Sequence, residues 1–195
     1  MSDRALAGLL REVRACRICA ADLPLGPRPV LRAKASARLL IIGQAPGTKV
    51  HASGIPWNDR SGDRLCEWLQ LDRNAFYDES RIAIVPMGFC YPGVDKNGGD
   101  RPPRKECAPL WHARVMQRLP NIELTLLVGS HAQAYYLKGH RQATMTATVE
   151  AWRQTPPSYL PLPHPSWRNT AWIKRNPWFE RELLPDLRAR VQSLL

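Results

Sequence analysis

No apolar run in the chain approaches the roughly 20 residues that a membrane-crossing helix needs, so no membrane span is expected. The start, Met1-Ser2-Asp3-Arg4, lacks the shape of a secretory leader, and a cytoplasmic protein is the expectation. There is no internal repeat and no low-complexity tract, so no repeat architecture is expected. Cysteine is sparse. Five residues in a chain of that compartment do not make a disulfide framework and point to metal, catalysis or burial. Acidic side chains are also short, at 17 Asp and Glu against 28 Lys and Arg, and the net charge of +11 is spread along the chain. That excess fits a polyanionic partner, or no more than a basic surface.

What is present suffices for one full core. The 195 residues are 44% hydrophobic and 23% charged, as a globular domain requires. Residues 2–15 read as a helix capped by Ser2, with Leu6, Leu9, Leu10 and Val13 on one face. Residues 22–36 are Pro-rich and read as an extended connection. Short apolar runs at 38–43, 82–87, 124–129 and 160–163 read as strands. Helical patterns at 61–70, 104–119, from Ser130, at 143–153 and from about 177 separate or follow them. The 61–70 pattern turns Leu65, Trp68 and Leu69 inward, with Cys66 as core. The 104–119 pattern places Cys107, Leu110, Trp111 and Val115 on one side. Residues 44–60 are too polar and too punctuated by Gly and Pro for regular structure. Alternating strands and helices imply a parallel sheet with crossover helices on both faces, a three-layer α/β/α fold around four strands. The whole chain, 1–195, makes a single domain: residues 1–37 lead into an α/β core at 38–195.

In such a sheet, ligands bind at the carboxyl ends of the strands. Three of those ends carry unusual residues: Gly43-Gln44-Ala45-Pro46-Gly47, Gly88 to Gly93, and His164-Pro165-Ser166. Gly43 and Gly47 let backbone approach a ligand, and Pro46 stiffens the turn. Read alone, the first of these is a strand followed by a turn. Four cysteines fall as Cys16-x2-Cys19, Cys90 and Cys107, and four thiolates suit an iron–sulfur cluster or Zn.

Gly43–Gly47 and His164–Ser166, each after a strand, resemble the two signature motifs of the uracil-DNA glycosylase superfamily. Gly54-Ile55-Pro56-Trp57 with Ser61-Gly62 resembles a segment of its iron–sulfur class. So do Arg101-Pro102-Pro103-Arg104 and Cys107, and the likeness spans roughly residues 16–169. The resemblance implies a glycosylase of the three-layer fold. Such an enzyme acts as a monomer on DNA carrying a damaged or deaminated base. It implies a [4Fe-4S] cluster on Cys16, Cys19, Cys90 and Cys107, with Zn as the alternative. Two positions depart from the class. Pro86 stands where it has an Asn that reads the base edge, and Gln44 stands where it has Glu.

Breaking a glycosidic bond needs groups that stack on the base, read its edge, orient water and stabilise the leaving oxygen. Trp57 is the candidate for stacking, and Gly43, Ala45, Pro46 and Gly47 for the pocket floor. Gln44, a neutral amide, can orient water but cannot act as a strong base; Asp59 is the nearby carboxylate that could activate it. His164 is the candidate for the leaving oxygen, by hydrogen bond or as imidazolium. Backbone groups at Met87, Gly88 and Phe89 are the substitutes for the missing edge reader. The resemblance assigns Pro165, Ser166, Arg168 and Asn169 to the DNA contact. His51, His112, His131 and His140 have no comparable setting.

Overall fold

The computed structural model describes residues 3–96 and 98–195. Helix α1 spans Asp3–Arg14 and buries the expected stripe of Leu6, Leu9, Leu10 and Val13. The Ser2 cap lies outside the described residues. Strands β1 (Leu39–Ile42), β2 (Ile82–Ile84), β3 (Leu124–Val128) and β4 (Tyr159–Leu162) form one parallel sheet in the order β2-β1-β3-β4. The register sets Ile41 against Ile84 on one side and Leu126 on the other.

Helices α2 (Thr48–Ser53), α3 (Arg60–Leu69) and α4 (Arg73–Phe76) lie between β1 and β2. Helix α5 (Cys107–Met116) precedes β3; α6 (Ser130–Tyr136) and α7 (Met145–Glu150) follow it. After β4 come α8 (Thr170–Arg175), a π-helical turn at Phe179–Leu183, and α9 (Leu184–Leu194). Pro185, which has no N–H, sits where that wide turn gives way to α9.

The two-residue alternation of the strands sorts their side chains between two cores. Leu40, Ile42, Ala83, Val85 and Leu127 pack with α1, Trp111 and Val115. Leu39, Ile41, Ile82, Ile84, Leu126 and Leu160 pack with Leu65, Trp68, Phe179 and α9. Both faces are covered, so the strands are apolar but for Thr125 in β3, and the expected three layers are present. Burying each such aliphatic side chain contributes about 1.5–3 kcal/mol.

Several expectations need correction. The 44–60 segment contains α2, capped by backbone at Gly47 and ended by left-handed Gly54, with only Val50 buried. Helix α5 is shorter than 104–119, and Leu110 points outward at 37% exposure, because Ala108, Trp111, His112 and Val115 make its inner face. Strand β2 ends at Ile84 rather than Met87; the Val85 and Met87 N–H groups still donate to the Ile41 and Gly43 carbonyls, and Pro86 between them falls on the side away from β1. The short helices α4 and α8 carried no periodic signal long enough to read. Among the described residues, no helix is long and apolar enough to cross a membrane.

Candidate functional site

The carboxyl ends of the strands open on a cavity of about 480 Å³. Its lining brings together Gly43, Gln44, Ala45, Pro46 and Gly47 after β1, Trp57 and Asp59 from the following loop, and His164, Ser166, Arg168 and Asn169 after β4. Segments more than 100 residues apart in the chain thus meet at one sheet edge. Pro165 is buried beneath the loop and does not line the cavity.

Trp57 is held by two glycines. A Cβ on Gly43 would lie 2.6 Å from the indole, and one on Gly62 would lie 1.7 Å from the Trp57 carbonyl oxygen. Trp57 itself has φ of 57°, a left-handed backbone that a bulky residue rarely takes. The indole therefore packs its edge against Gly43 at the end of β1 and lies beside His164, with ring centroids 5.5 Å apart and planes tilted by 34°.

Gln44 donates its side-chain amide to the Arg101 carbonyl at 3.4 Å, and among the described residues its side-chain oxygen, Oε1, carries no hydrogen bond. Asp59 caps α3: one carboxylate oxygen accepts from Gly62 N–H at 2.9 Å, and the other lies toward Gly47. His164 is mostly enclosed, and burial lowers its pKa, while Asp59 and Asp100 act in the opposite sense. The net direction is down, so at neutral pH the ring is an imidazole and acts by hydrogen bonding. Asn169 steadies this strand end by donating to the His164 carbonyl at 2.7 Å.

The substitutes for an edge reader are not in the cavity. Met87 N–H and Gly88 N–H donate to Gly43 and Gln44 carbonyls at 2.9 Å each, and Phe89 N–H faces the Cys107 sulfur at 3.4 Å. The Met87 side chain is core, and Gly88 lines a different pocket. Pro86 does line the cavity, but its carbonyl accepts from His112 Nε2–H at 3.0 Å. With Nε2 donating, His112 Nδ1 accepts from the Tyr136 hydroxyl at 2.6 Å. His112 thus has a definite setting, which a histidine alone on a helix gave no sign of: it braces the exit of β2 from behind.

Asp100, Arg101 and Trp167 also line the cavity, and the roles read from the sequence had not included them. Asp100 and Arg101 belong to a polar segment with no readable periodicity. Trp167 is 70% exposed at the mouth, with the Arg168 guanidinium 5.6 Å above its ring. A large aromatic two residues past Pro165 was the signal that could have found it. Arg168 reaches the Gly98 carbonyl, and Arg64 from α3 donates to the Ser166 carbonyl and the Thr170 hydroxyl.

Cys16, Cys19, Cys90 and Cys107 line one small pocket with Gly88, Phe89, Arg104 and Trp111. None is in a disulfide. Burial pushes the Cys90 thiol up to about 11 and the Cys107 thiol up to about 12, with the neighbouring cysteines adding to both. Among the described residues, no group of three or more His, Cys, Asp or Glu is drawn around a single point to hold one ion. Arg104 ties this corner together through Asp22 at 2.7 Å and Glu106 at 2.9 Å. Cys66 is on the buried face of α3, apart from this group. The family model described as Uracil DNA glycosylase superfamily matches residues 32–188, most of the chain.

Proposed function

The chain belongs to the uracil-DNA glycosylase superfamily, and from that premise we propose that it is a base-excision glycosylase. It would hydrolyse the N-glycosidic bond of uracil or another deaminated base once that base has left the DNA stack. The observation that carries this reading is one cavity holding Gly43–Gly47, Trp57 and His164 at the strand ends. The flipped base stacks against Trp57. His164, neutral, donates a hydrogen bond to the leaving base's oxygen as charge develops there. The free side-chain Oε1 of Gln44 orients the water, and the uncommitted Asp59 oxygen takes its proton. Ser166, Arg168 and Asn169 sit at the mouth, where phosphates pass, and Trp167 stands out beside them. The protein would work as a monomer, in the cytoplasm.

Cys16, Cys19, Cys90 and Cys107 would hold a [4Fe-4S] cluster. Two observations favour the fit: four thiols from three segments face one pocket, and the Phe89 N–H is directed at the Cys107 sulfur. Zn, which four thiolates also suit, is the alternative. The group would be structural, joining the end of α1 to the 88–107 segment. Purified protein should show visible charge-transfer absorbance that is lost in Cys107→Ser; a colourless protein containing one zinc per chain would point to Zn instead.

Strand-cleavage assays on oligonucleotides containing uracil, hypoxanthine or xanthine test the glycosylase reading. His164→Ala should lower the turnover number about 10²–10³-fold, as the loss of one such donor does elsewhere. No cleavage of any substrate from about pH 6 to about pH 9 would sink the reading. A second reading rests on Pro86 and the neutral Gln44: a glycosylase fold that binds nucleic acid without turnover. It predicts salt-dependent DNA binding with no base release, and equal release by wild type and His164→Ala would place the chemistry outside this site.

A further inference from the structure

The sheet order leaves β2 at an edge, and the Pro-rich connection covers it. Arg32 and Ile84 exchange both backbone hydrogen bonds, at 3.0 and 2.7 Å, and the Val30 N–H donates to the Phe89 carbonyl at 2.7 Å. Residues 27–32 therefore form a strap with two sides: Pro27 and Pro29 line the cysteine pocket, and Val30 lines the cavity. Two arginines of the strap reach the segment that leads to Trp57. Arg28 donates to the Ala52 carbonyl at 2.8 Å, in the last turn of α2, where helical partners run out. A Cβ on Gly54 would lie 2.9 Å from the same guanidinium. Arg32 lies 5.3 Å over the Tyr77 ring, and the Tyr77 hydroxyl donates to the Pro56 carbonyl at 2.9 Å. Residues 52–56 are thus held at both ends. A left-handed backbone at a bulky residue such as Trp57 persists only where its surroundings over-determine it, and these contacts add to those of Gly43 and Gly62.

Resting on the glycosylase reading above, we propose that Arg28 is a positioning residue for Trp57: from outside the cavity it fixes the C-terminal end of α2, and with it the place of the indole against the base. Arg28 is exposed and does not line the cavity. An exposed arginine on a basic protein suggests a phosphate ligand, but this guanidinium is committed to a helix end. Its role is therefore conformational, and it acts on one step. Stacking holds a flipped base alike in the ground state and the transition state, so an indole out of place raises KM and leaves kcat nearly as it was. The strap also explains how the far corner of the molecule bears on the cavity. The prolines on either side of Arg28 rest on the cysteine pocket, so what packs there sets where the guanidinium starts from.

The test compares wild type, Arg28→Ala, Arg28→Lys, Trp57→Ala and the Arg28→Ala/Trp57→Ala double variant on whichever of the uracil, hypoxanthine and xanthine oligonucleotides wild type cleaves fastest. Arg28→Ala should raise KM about tenfold with kcat within about twofold, and Arg28→Lys, which also bonds a terminal helix carbonyl, should recover most of the loss. In the Trp57→Ala background Arg28→Ala should add nothing, because its effect passes through the indole. Amide hydrogen exchange over residues 51–57 should quicken in Arg28→Ala, and the salt slope of DNA binding should not change. The same rise in KM with and without Trp57, or a shallower salt slope, identifies Arg28 as a phosphate contact and overturns the inference while the glycosylase reading stands. Unchanged exchange over residues 51–57 overturns it as well. If wild type releases no base, the glycosylase reading falls, and the exchange measurement alone decides whether Arg28 fixes this segment.

Discussion

His112 illustrates how one side chain can set a pH limit on a fold. Burial holds its pKa at about 4, against roughly 6.5 in an unfolded chain. Between those values the unfolded chain binds a proton that the native protein refuses. Stability from this group is therefore complete above about pH 6.5 and is lost as the pH falls toward 4. The loss amounts to roughly 3 kcal/mol, at about 1.4 kcal/mol per pKa unit. Urea unfolding of wild type at about pH 7 and about pH 4 should show it, and His112→Gln should show a shallower fall over the same range; identical slopes would refute it. The sequence disclosed half of this corner. Pro86 announces by itself that strand two supplies neither a side-chain amide nor an N–H. That its carbonyl is also taken, by a ring 26 residues further on, depends on how α5 packs and has no local signature.

At the scale of elements, α3 and the pocket share a residue. Asp59 caps the helix with one oxygen and faces the Gly47 side with the other. Asn caps about as well as Asp, and Ala does not cap. Asp59→Ala should therefore lose about 1 kcal/mol of stability together with activity, whereas Asp59→Asn should keep its melting temperature and lose activity alone. Full activity in Asp59→Asn would confine Asp59 to capping. The strands and the larger helices were legible because apolar runs ended at Gly or Pro and because 3.6-residue stripes were long. Helix α2 was not, since Thr48–Ser53 offers one inward side chain and no side-chain cap. Leu110 misled for a related reason: a stripe read from 107 admits both 110 and 111, and only the packing of Trp111 on the sheet decides between them.

Over the whole molecule, a charge of +11 should make DNA binding steeply salt-dependent. Arg168→Ala, at the mouth, should weaken binding to all sequences alike and reduce the slope of log K against log salt by about one. An unchanged slope would show that the guanidinium serves only to hold Gly98. The parallel sheet was readable from the alternation of strands and helices, and the meeting of its two signature ends from their places after strands, whereas the place of Asp100 in the cavity was not. The packing of Trp57 reaches across the same scale, because it joins the end of β1 to the start of α3. Enlarging Gly43 strikes the tip of the indole, so a smaller ring at 57 would relieve it. Enlarging Gly62 strikes the main chain at 57, and no choice of side chain there would help. In descent, then, the partnership of 43 and 57 can be renegotiated one step at a time, while the bargain between 57 and 62 is closed as long as the loop keeps its path.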